Sequence, residues 1–445
     1  MTPRRIHRGA LAVCIAAAIP GTASAASFYI IESSPSRLGN AFAGTASAAD
    51  DASTVFFNGA GMTRLDGPTV QLGGHYIMPE ADFENDGSTT AAGTSLSGDD
   101  GNTDESALVP NFYYSTPLND TVSFGLGINA PFGLSSSYDE AWVGRYHATD
   151  SELETININP SVAFQATDRL SVGFGVNFQS IDATLEKEVD SFAACFSAAT
   201  APVAAGGGGL SDAAANANCG AAHGGPGNRA ADVSSKVTGD DRGVGIDLSM
   251  LYEFDADSRI GVSWRQGVHY TIEGDVAFDE SSSCANEQFC NGATADGNVS
   301  ADVELPDILT VSATHGIGDD WRLDADIAWY EWDSIQELRI ERPNGQEVST
   351  LELEYDNTVR YALGGTYTGF SGMALRAGVA HDESPISSEE TVTPRIPDGD
   401  RTWLTVGATF DLSEQASVDV GFAHLFVDEV EVDNTEQGNT LRGEF

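Results

Sequence analysis

Ile260-Gly261-Val262-Ser263-Trp264-Arg265 alternates in character, with Ile260, Val262 and Trp264 on one face of an extended chain and Gly261, Ser263 and Arg265 on the other. Successive side chains of a strand point to opposite sides, so the first face suits lipid and the second a polar lumen. The pattern returns at Val359, Tyr361 and Leu363 against Arg360, Ala362 and Gly364, and at Leu323, Ala325 and Ile327 against Asp324 and Asp326. From Thr69 onward such runs are joined by tight polar turns at residues 119–120, 167–168, 255–257, 318–320, 369–372 and 413–415. Between these turns lie long polar segments at 85–105, 133–150, 191–235, 279–299, 342–349 and 382–400. Long loops at one end and tight turns at the other mark an all-β, transmembrane antiparallel β-barrel. A soluble β-sandwich alternates too, but the strand lengths favour the membrane. So do aromatics near strand ends (Tyr113, Tyr114, Trp321, Trp329, Tyr330, Trp332 and Trp403), read here as interfacial girdles.

The start of the chain reads as an export signal. Arg4, Arg5 and Arg8 precede an apolar run from Ala10 to Ile19, and Ala23-Ser24-Ala25 gives a small-residue cleavage pattern, so residues 1–25 are a leader. That run is short of the ~20 residues a spanning helix needs. Acidic residues number 67 against 21 basic ones, a net charge of −46 that repels nucleic acid. Export to an oxidising compartment makes disulfides the default for Cys195, Cys219, Cys284 and Cys290. Each of two pairs sits inside one polar, Gly/Ala/Asn-rich loop, which predicts Cys195 with Cys219 and Cys284 with Cys290. No metal or cofactor motif is present, and neither a G-x-S-x-G elbow nor an H-E-x-x-H helix occurs, so an enzyme is not expected.

Residues 26–67 differ from the rest, being rich in Gly and Ala without strand alternation. Phe28, Tyr29, Ile30, Phe42, Phe56 and Phe57 make this segment too apolar for a solvated tail. A plug inside the barrel of residues 68–445 is the expectation.

Several stretches resemble the FadL family of outer-membrane transporters. Ser36-Arg37-Leu38-Gly39-Asn40-Ala41-Phe42-Ala43-Gly44 with Ala49-Asp50-Asp51-Ala52-Ser53-Thr54 resembles its plug. Ala130-Pro131-Phe132-Gly133-Leu134, residues 142–148, Ile156-Asn157-Ile158-Asn159-Pro160-Ser161, residues 382–385, residues 393–398 and Ala423-His424-Leu425-Phe426 follow in the family's order. The resemblance implies a fourteen-stranded barrel closed by an N-terminal hatch, in the outer membrane of a Gram-negative bacterium. It implies a monomer among outer-membrane lipid and lipopolysaccharide. The substrate would be a long-chain fatty acid or another hydrophobic small molecule, which lodges in an outer groove, reaches a pocket above the hatch and leaves sideways through the wall. A general diffusion porin and a surface interaction barrel are the alternatives. Two departures stand out. Asn58-Gly59-Ala60-Gly61 has glycine where the family's hatch motif commonly has proline, predicting a looser turn. The reading also yields about thirteen complete strands, with a fourteenth starting near Leu441 and cut short at Phe445.

Candidate substrate-binding residues follow from this picture. Arg265, Arg360 and Arg376 face the lumen and suit a carboxylate. Asp324 and Asp326 are expected to pair with Arg360 and Arg376, leaving Arg265 without an obvious partner. The apolar part of the site is assigned to Phe28, Ile30, Leu38, Phe42, Phe56 and Phe57 in the hatch, with Phe132 and Leu134 at the mouth.

Overall fold

The computed structural model describes residues 27–200, 210–279 and 295–445. The leader and the Cys284–Cys290 pair lie outside the described residues. The chain forms β1 (Thr69–Ile77), β2 (Ala81–Asn85), β3 (Gly101–Thr103), β4 (Ala107–Asn119), β5 (Val122–Asn129), β6 (Gly133–Ser137), β7 (Asp150–Thr167) and β8 (Leu170–Val189). It continues through β9 (Val233–Glu253), β10 (Ser258–Arg265), β11 (His269–Asp279), β12 (Gly297–Glu304), β13 (Ile308–Ile317), β14 (Trp321–Tyr330), β15 (Glu337–Glu341) and β16 (Glu347–Glu352). Last come β17 (Thr358–Phe370), β18 (Met373–Asp382), β19 (Arg401–Ser413), β20 (Ala416–Val427), β21 (Glu431–Glu436) and β22 (Asn439–Glu444).

Antiparallel pairing runs from β1 to β4, β5, β7, β8, β9, β10, β13, β14 and β17, and on through β18 and β19 to β20. Counting β5 and β6 as one interrupted strand, this gives thirteen wall strands among the described residues. Strands β11, β12, β15 and β16 extend the wall outward. No helix among the described residues is long and apolar enough to cross a membrane; the strands cross it. Alternation holds as read: Ile260, Tyr361, Leu363, Leu323 and Ile327 are exposed, while Gly261, Arg360, Asp324 and Asp326 are buried. Leu72, Leu108, Val244, Leu363 and Phe422 belong to an outward apolar belt, as lipid requires. Above it the outward side of β7–β9 turns polar, with Glu152, Glu154, Asp182 and Asp240 exposed, which marks where the wall leaves the hydrocarbon.

Two expectations need correcting. Leu441 does not begin a wall strand: it lies in β22, which pairs with β21 and β2 in a small sheet over the outer end. The aromatic girdle holds only in part. Trp321 and Trp329 point outward, whereas Tyr113, Tyr330, Trp332 and Trp403 are at most 2% exposed and pack on the interior. Parity explains this for Tyr330, which shares the face of Asp324, Asp326 and Ala328.

Residues 27–67 are packed within the wall. They form two short helices, α1 (Pro35–Leu38) and α2 (Thr54–Phe57), and a 3₁₀ turn at Gly59–Arg64. Asp326 accepts from the Gly44 and Thr45 amides (2.6 and 3.1 Å), and Asn40 donates to Asp324 (2.9 Å). Further round, Ala46 N–H donates to Ser312 (2.9 Å), Ser47 meets Thr314 (2.7 Å) and Ala60 N–H donates to Ser249 (3.0 Å). The plug thus satisfies its backbone from inward-facing polar side chains, as a non-helical segment away from water must. Helix α1 touches both β1 and β20: Pro35 lies against Gly73 of β1 and, with Leu38, against Gly421 of β20.

Candidate functional site

The wall is interrupted at Ala130-Pro131-Phe132. The ladder between β4 and the next strand stops at Phe112↔Ile128, while β6 continues the ladder with β7. Proline has no amide to donate and so suits such a break. Phe132 keeps its own bonds to the β7 side, its amide donating to Thr155 Oγ1 (2.9 Å) and its carbonyl accepting from the Thr155 amide (3.2 Å). On the other side, the Pro131 carbonyl accepts from Ile30 N–H (2.8 Å), and Gly133 N–H donates to the Phe28 carbonyl (2.9 Å). Residues 28–30 therefore occupy the strand edge that β4 leaves free.

The same segment fills an aromatic chamber. Phe28 lies 5.1 Å from Trp332 and 5.8 Å from Phe132, while Tyr29 lies 5.3 Å from Phe132 and 5.4 Å from Tyr330, all ring centroid distances. Trp332 continues to Tyr355 at 6.0 Å. Such tilted and edge-on pairs are the preferred aromatic geometries. Ile31 is buried in the same cluster, Ile30 is buried beside Gly133, and Leu134 packs at the margin. Beside the chamber sits a buried charge cluster: Arg401 with Asp398, Arg360 with Asp382 (3.9 Å), and Glu32. Ser27 moors the segment there, its amide donating to Asp398 (2.8 Å).

The remaining apolar candidates are also plug residues. Phe42 packs between Trp403 (6.3 Å) and Phe57 (6.2 Å), Phe56 meets Phe57 edge-on (5.1 Å), and Leu38 faces the β20 wall. Phe42, with Leu38 and Phe57 against it, continues the buried cluster that holds the chamber, whereas Phe56 packs with Val55 and Met62. Ala41 and Phe42 adopt left-handed backbone (φ 51° and 56°), and Arg360 Nη2 donates to the Ala41 carbonyl (2.7 Å), pinning that turn.

The arginines are partnered differently from the expectation. Arg265 is not free: it pairs with Asp247 (3.0 Å), its directly opposed residue on β9, donates to the Phe56 carbonyl (2.7 Å) and covers the Phe56 ring at 3.7 Å. Arg360 pairs with Asp382, and Arg376 with Asp419 (3.5 Å) and Thr409 (2.5 Å). Asp324 and Asp326 instead hold the hatch and Arg322. Hydrogen bonds run from the Asn58 side chain both into its own turn and out to the plug and the wall. Gly59 opens the 3₁₀ turn, while Asn58 accepts from Ala60 N–H (3.0 Å) and donates to the carbonyls of Ala46 (2.6 Å) and Met250 (3.0 Å). Ala60 and Gly61 are buried in the same turn.

Sequence reasoning missed Tyr29's place in the chamber, together with Glu32, Trp332, Tyr355, Asp382, Asp398 and Arg401. Parity carried part of the signal, because Arg401, Trp403 and Thr405 share the buried face of β19.

The outer cap holds a separate groove of about 460 Å³, lined among others by Leu185, Val237, Phe278, Ile340 and Leu351, with Lys187 at its side. Lys187 pairs with Glu436 (2.8 Å). Burial pushes the Glu436 carboxyl up, but Lys187, His147 and Arg395 outweigh it and hold the group below the usual range. Nearby, Arg145 pairs with Asp232 (2.9 Å), which also accepts from the Tyr146 hydroxyl (2.7 Å). The helical hairpin of α3 (Ser191–Thr200) and α4 (Asp212–His223) is joined by the expected Cys195–Cys219 disulfide.

Residues 16–445 match the family model described as "Outer membrane protein transport protein (OMPP1/FadL/TodX)". The chain is 30% identical to the long-chain fatty acid transport protein of Escherichia coli K12, over 96% of this chain and 93% of that one. It is 29% identical to outer membrane protein P1 of Haemophilus influenzae, over 91% and 87%. Among solved structures, a Pseudomonas aeruginosa FadL homologue superposes with a TM-score of 0.83 at 24% identity, covering 94% of this chain and 96% of that one. The Pseudomonas putida toluene transporter TodX gives 0.65 at 18%, covering 90% and 92%. At these identities the structural likeness speaks for the fold.

Proposed function

This chain belongs to the OMPP1/FadL/TodX family of outer membrane transport proteins, and on that premise we propose that it takes up long-chain fatty acids, or closely similar hydrophobic compounds, releasing them sideways into the membrane. The observation that carries this reading is the double placement of residues 28–30, which fill the aromatic chamber and cap the free edge at the wall break. A ligand that displaces them enters the chamber and uncovers the gap in one movement. Its tail then never crosses water, which would cost ~0.8 kcal/mol per methylene.

The outer groove serves as the first stop: its apolar lining takes the tail, and Lys187 offers a charge for the head. Arg265 holds the hatch through the Phe56 carbonyl and Arg376 is paired within the wall, so neither is assigned to substrate. Phe28, Ile30, Phe132 and Leu134 surround the tail route, while Leu38, Phe42, Phe56 and Phe57 keep the plug packed around the Asn58 turn. The proposal includes a monomer set among outer-membrane lipid and lipopolysaccharide, acting as a transporter and not an enzyme. A lumen filled by residues 27–67 does not favour a general diffusion porin.

Uptake of labelled oleate and of toluene by a host lacking its own transporters of this kind tests the proposal. Oleate uptake that is abolished when Phe132 becomes aspartate supports it. Uptake of toluene alone reassigns the substrate, and a correctly inserted barrel that admits neither overturns it.

A further inference from the structure

The outward face of β17–β20 carries a feature that passage through the lumen does not use. A hollow of about 750 Å³ lies there, lined among others by Leu363, Gly365, Ala377, Val379, Leu404 and Phe422. Leu363, Val379, Leu404 and Phe422 are exposed members of the apolar belt, so the hollow opens toward lipid and not toward the lumen. Its floor is low because Gly365 and Ala377, directly paired between β17 and β18, stand beside the paired Leu363 and Val379.

Along the outer rim of the hollow runs a polar row. Register sets Tyr361 beside His381, His381 beside Thr402 and Thr402 beside Phe426. Tyr361, His381 and Thr402 all face outward, one step inside the outward-facing Trp329 at the outer end of β14. His424 pairs with Leu404 and lies two residues further from the outer end of β20, ~7 Å deeper along the strand. It lines the hollow, with its ring edge-on to Phe426 at 4.4 Å. No side-chain hydrogen bond joins any of these four polar residues to the described protein. Hydrogen-bonding groups left bare toward hydrocarbon are costly, so a row of them above an apolar hollow points to an amphiphile that meets both.

We propose that this face is the docking surface for one lipopolysaccharide molecule, with an acyl chain in the hollow and the polar groups that link chains to sugar at Tyr361, His381 and Thr402. The depth of His424 selects this lipid over a phospholipid. Below its ester a phospholipid chain presents only carbon and hydrogen, whereas the β-hydroxyacyl chains of lipopolysaccharide carry a hydroxyl close below the linkage, and His424 offers it an imidazole nitrogen. The rim also lies at the strand ends that lead into the long outer loops, which is the leaflet of lipopolysaccharide. This names a surface for the lipid setting proposed above; it needs the membrane barrel and makes no use of what the barrel carries.

Native mass spectrometry of the full chain released from detergent micelles tests this, by titration with lipid A bearing β-hydroxyacyl chains and, separately, with dioleoyl phosphatidylglycerol. The parent should bind one lipid A several-fold more tightly than the phospholipid. His424→Leu should weaken lipid A binding about fivefold, the size of one neutral hydrogen bond, and leave the phospholipid unchanged. Gly365→Leu fills the hollow and should weaken lipid A binding as well. A Cβ at Gly365 meets only Leu323 at 3.7 Å and the Arg322 carbonyl oxygen at 4.0 Å, so the strand accommodates it. Heat-modified gel mobility checks that each variant is a folded barrel. Equal affinity of the parent for both lipids, or variants that bind lipid A as the parent does, overturns the proposal. Oleate uptake by His424→Leu should match the parent; uptake lost while lipid A binding stays unchanged would place His424 on the transport route instead. Since binding and uptake are read separately, a failure of the transport reading leaves the lipid result intact.

Discussion

A Cβ on Gly261 would overlap the Ala46 carbonyl, and one on Gly378 would overlap the Asn40 backbone. These glycines are therefore read by the plug and not by the strands that carry them. Gly261→Val should leave the barrel folded, because valine suits a strand, yet destabilise plug seating by ~1–3 kcal/mol, the usual cost of overpacking. Planar-bilayer recordings should show open events that the parent lacks, and recordings indistinguishable from the parent would contradict the seating argument. A second residue governs the outer cap. Burial, then the nearby Asp232 and Glu140 carboxylates, push the Glu188 carboxyl from an ordinary 4.5 up to about 7. Because the folded cap favours the protonated form, this contribution to stability is complete below about 4.5 and is lost as pH rises through about 7. Glu188 donates its amide to the Arg145 carbonyl (2.8 Å), so hydrogen exchange there reports the effect. Protection corrected for intrinsic rates should be greater at pH 5.5 than at pH 8, and Glu188→Gln should remove the difference.

At the scale of elements, the helical hairpin α3–α4 stands on one covalent link and a small cluster of Phe192, Cys195, Ala199, Ala215 and Cys219. With a sequence separation of 24, the disulfide contributes about 3 kcal/mol through loop closure. Replacing both cysteines by serine should make residues 191–223 cleavable by an added protease while the wall stays resistant; equal resistance in both proteins would show that packing alone holds the hairpin. The strands were the legible part of the sequence, since a period of two in one short run already places Gly261 inward and Ile260 outward. Pairings were harder to read. Arg265 meets Asp247 only through the register between β9 and β10, and Arg360 meets Asp382 only through that between β17 and β18. The bonds from residues 28–30 to residues 131–133 were out of reach, because neither stretch alternates and about a hundred residues separate them. The chamber was half legible for the same reason: Phe28, Ile30 and Phe132 could be singled out as apolar, but Tyr330 looked like a girdle residue until parity was applied as far as the strand end, and Trp332 lies beyond that end in a 3₁₀ turn where parity says nothing.

For the molecule as a whole, the question is whether transport needs the entire plug to leave or only its first residues to move. The plug is tied all round the wall, through Asp324, Asp326, Ser312, Thr314 and Ser249, and expelling it would break these buried bonds together, at ~1–3 kcal/mol for each group left unsatisfied. Residues 28–30 are held to the wall break by two backbone bonds and by ring contacts, which an incoming apolar tail can replace in kind. The lower cost lies with the local movement. Ser47 Oγ and Thr314 Oγ1 lie 2.7 Å apart, close enough that cysteines at both positions should form a disulfide. Such a lock fixes the centre of the plug to β13 and leaves residues 28–32 untouched. Oxidised Ser47→Cys/Thr314→Cys protein should therefore take up oleate at close to the parent rate, with reduction making little difference. Uptake that stops on oxidation and returns on reduction would show instead that the plug leaves as a body, and that the route runs down through the lumen and not out through the wall.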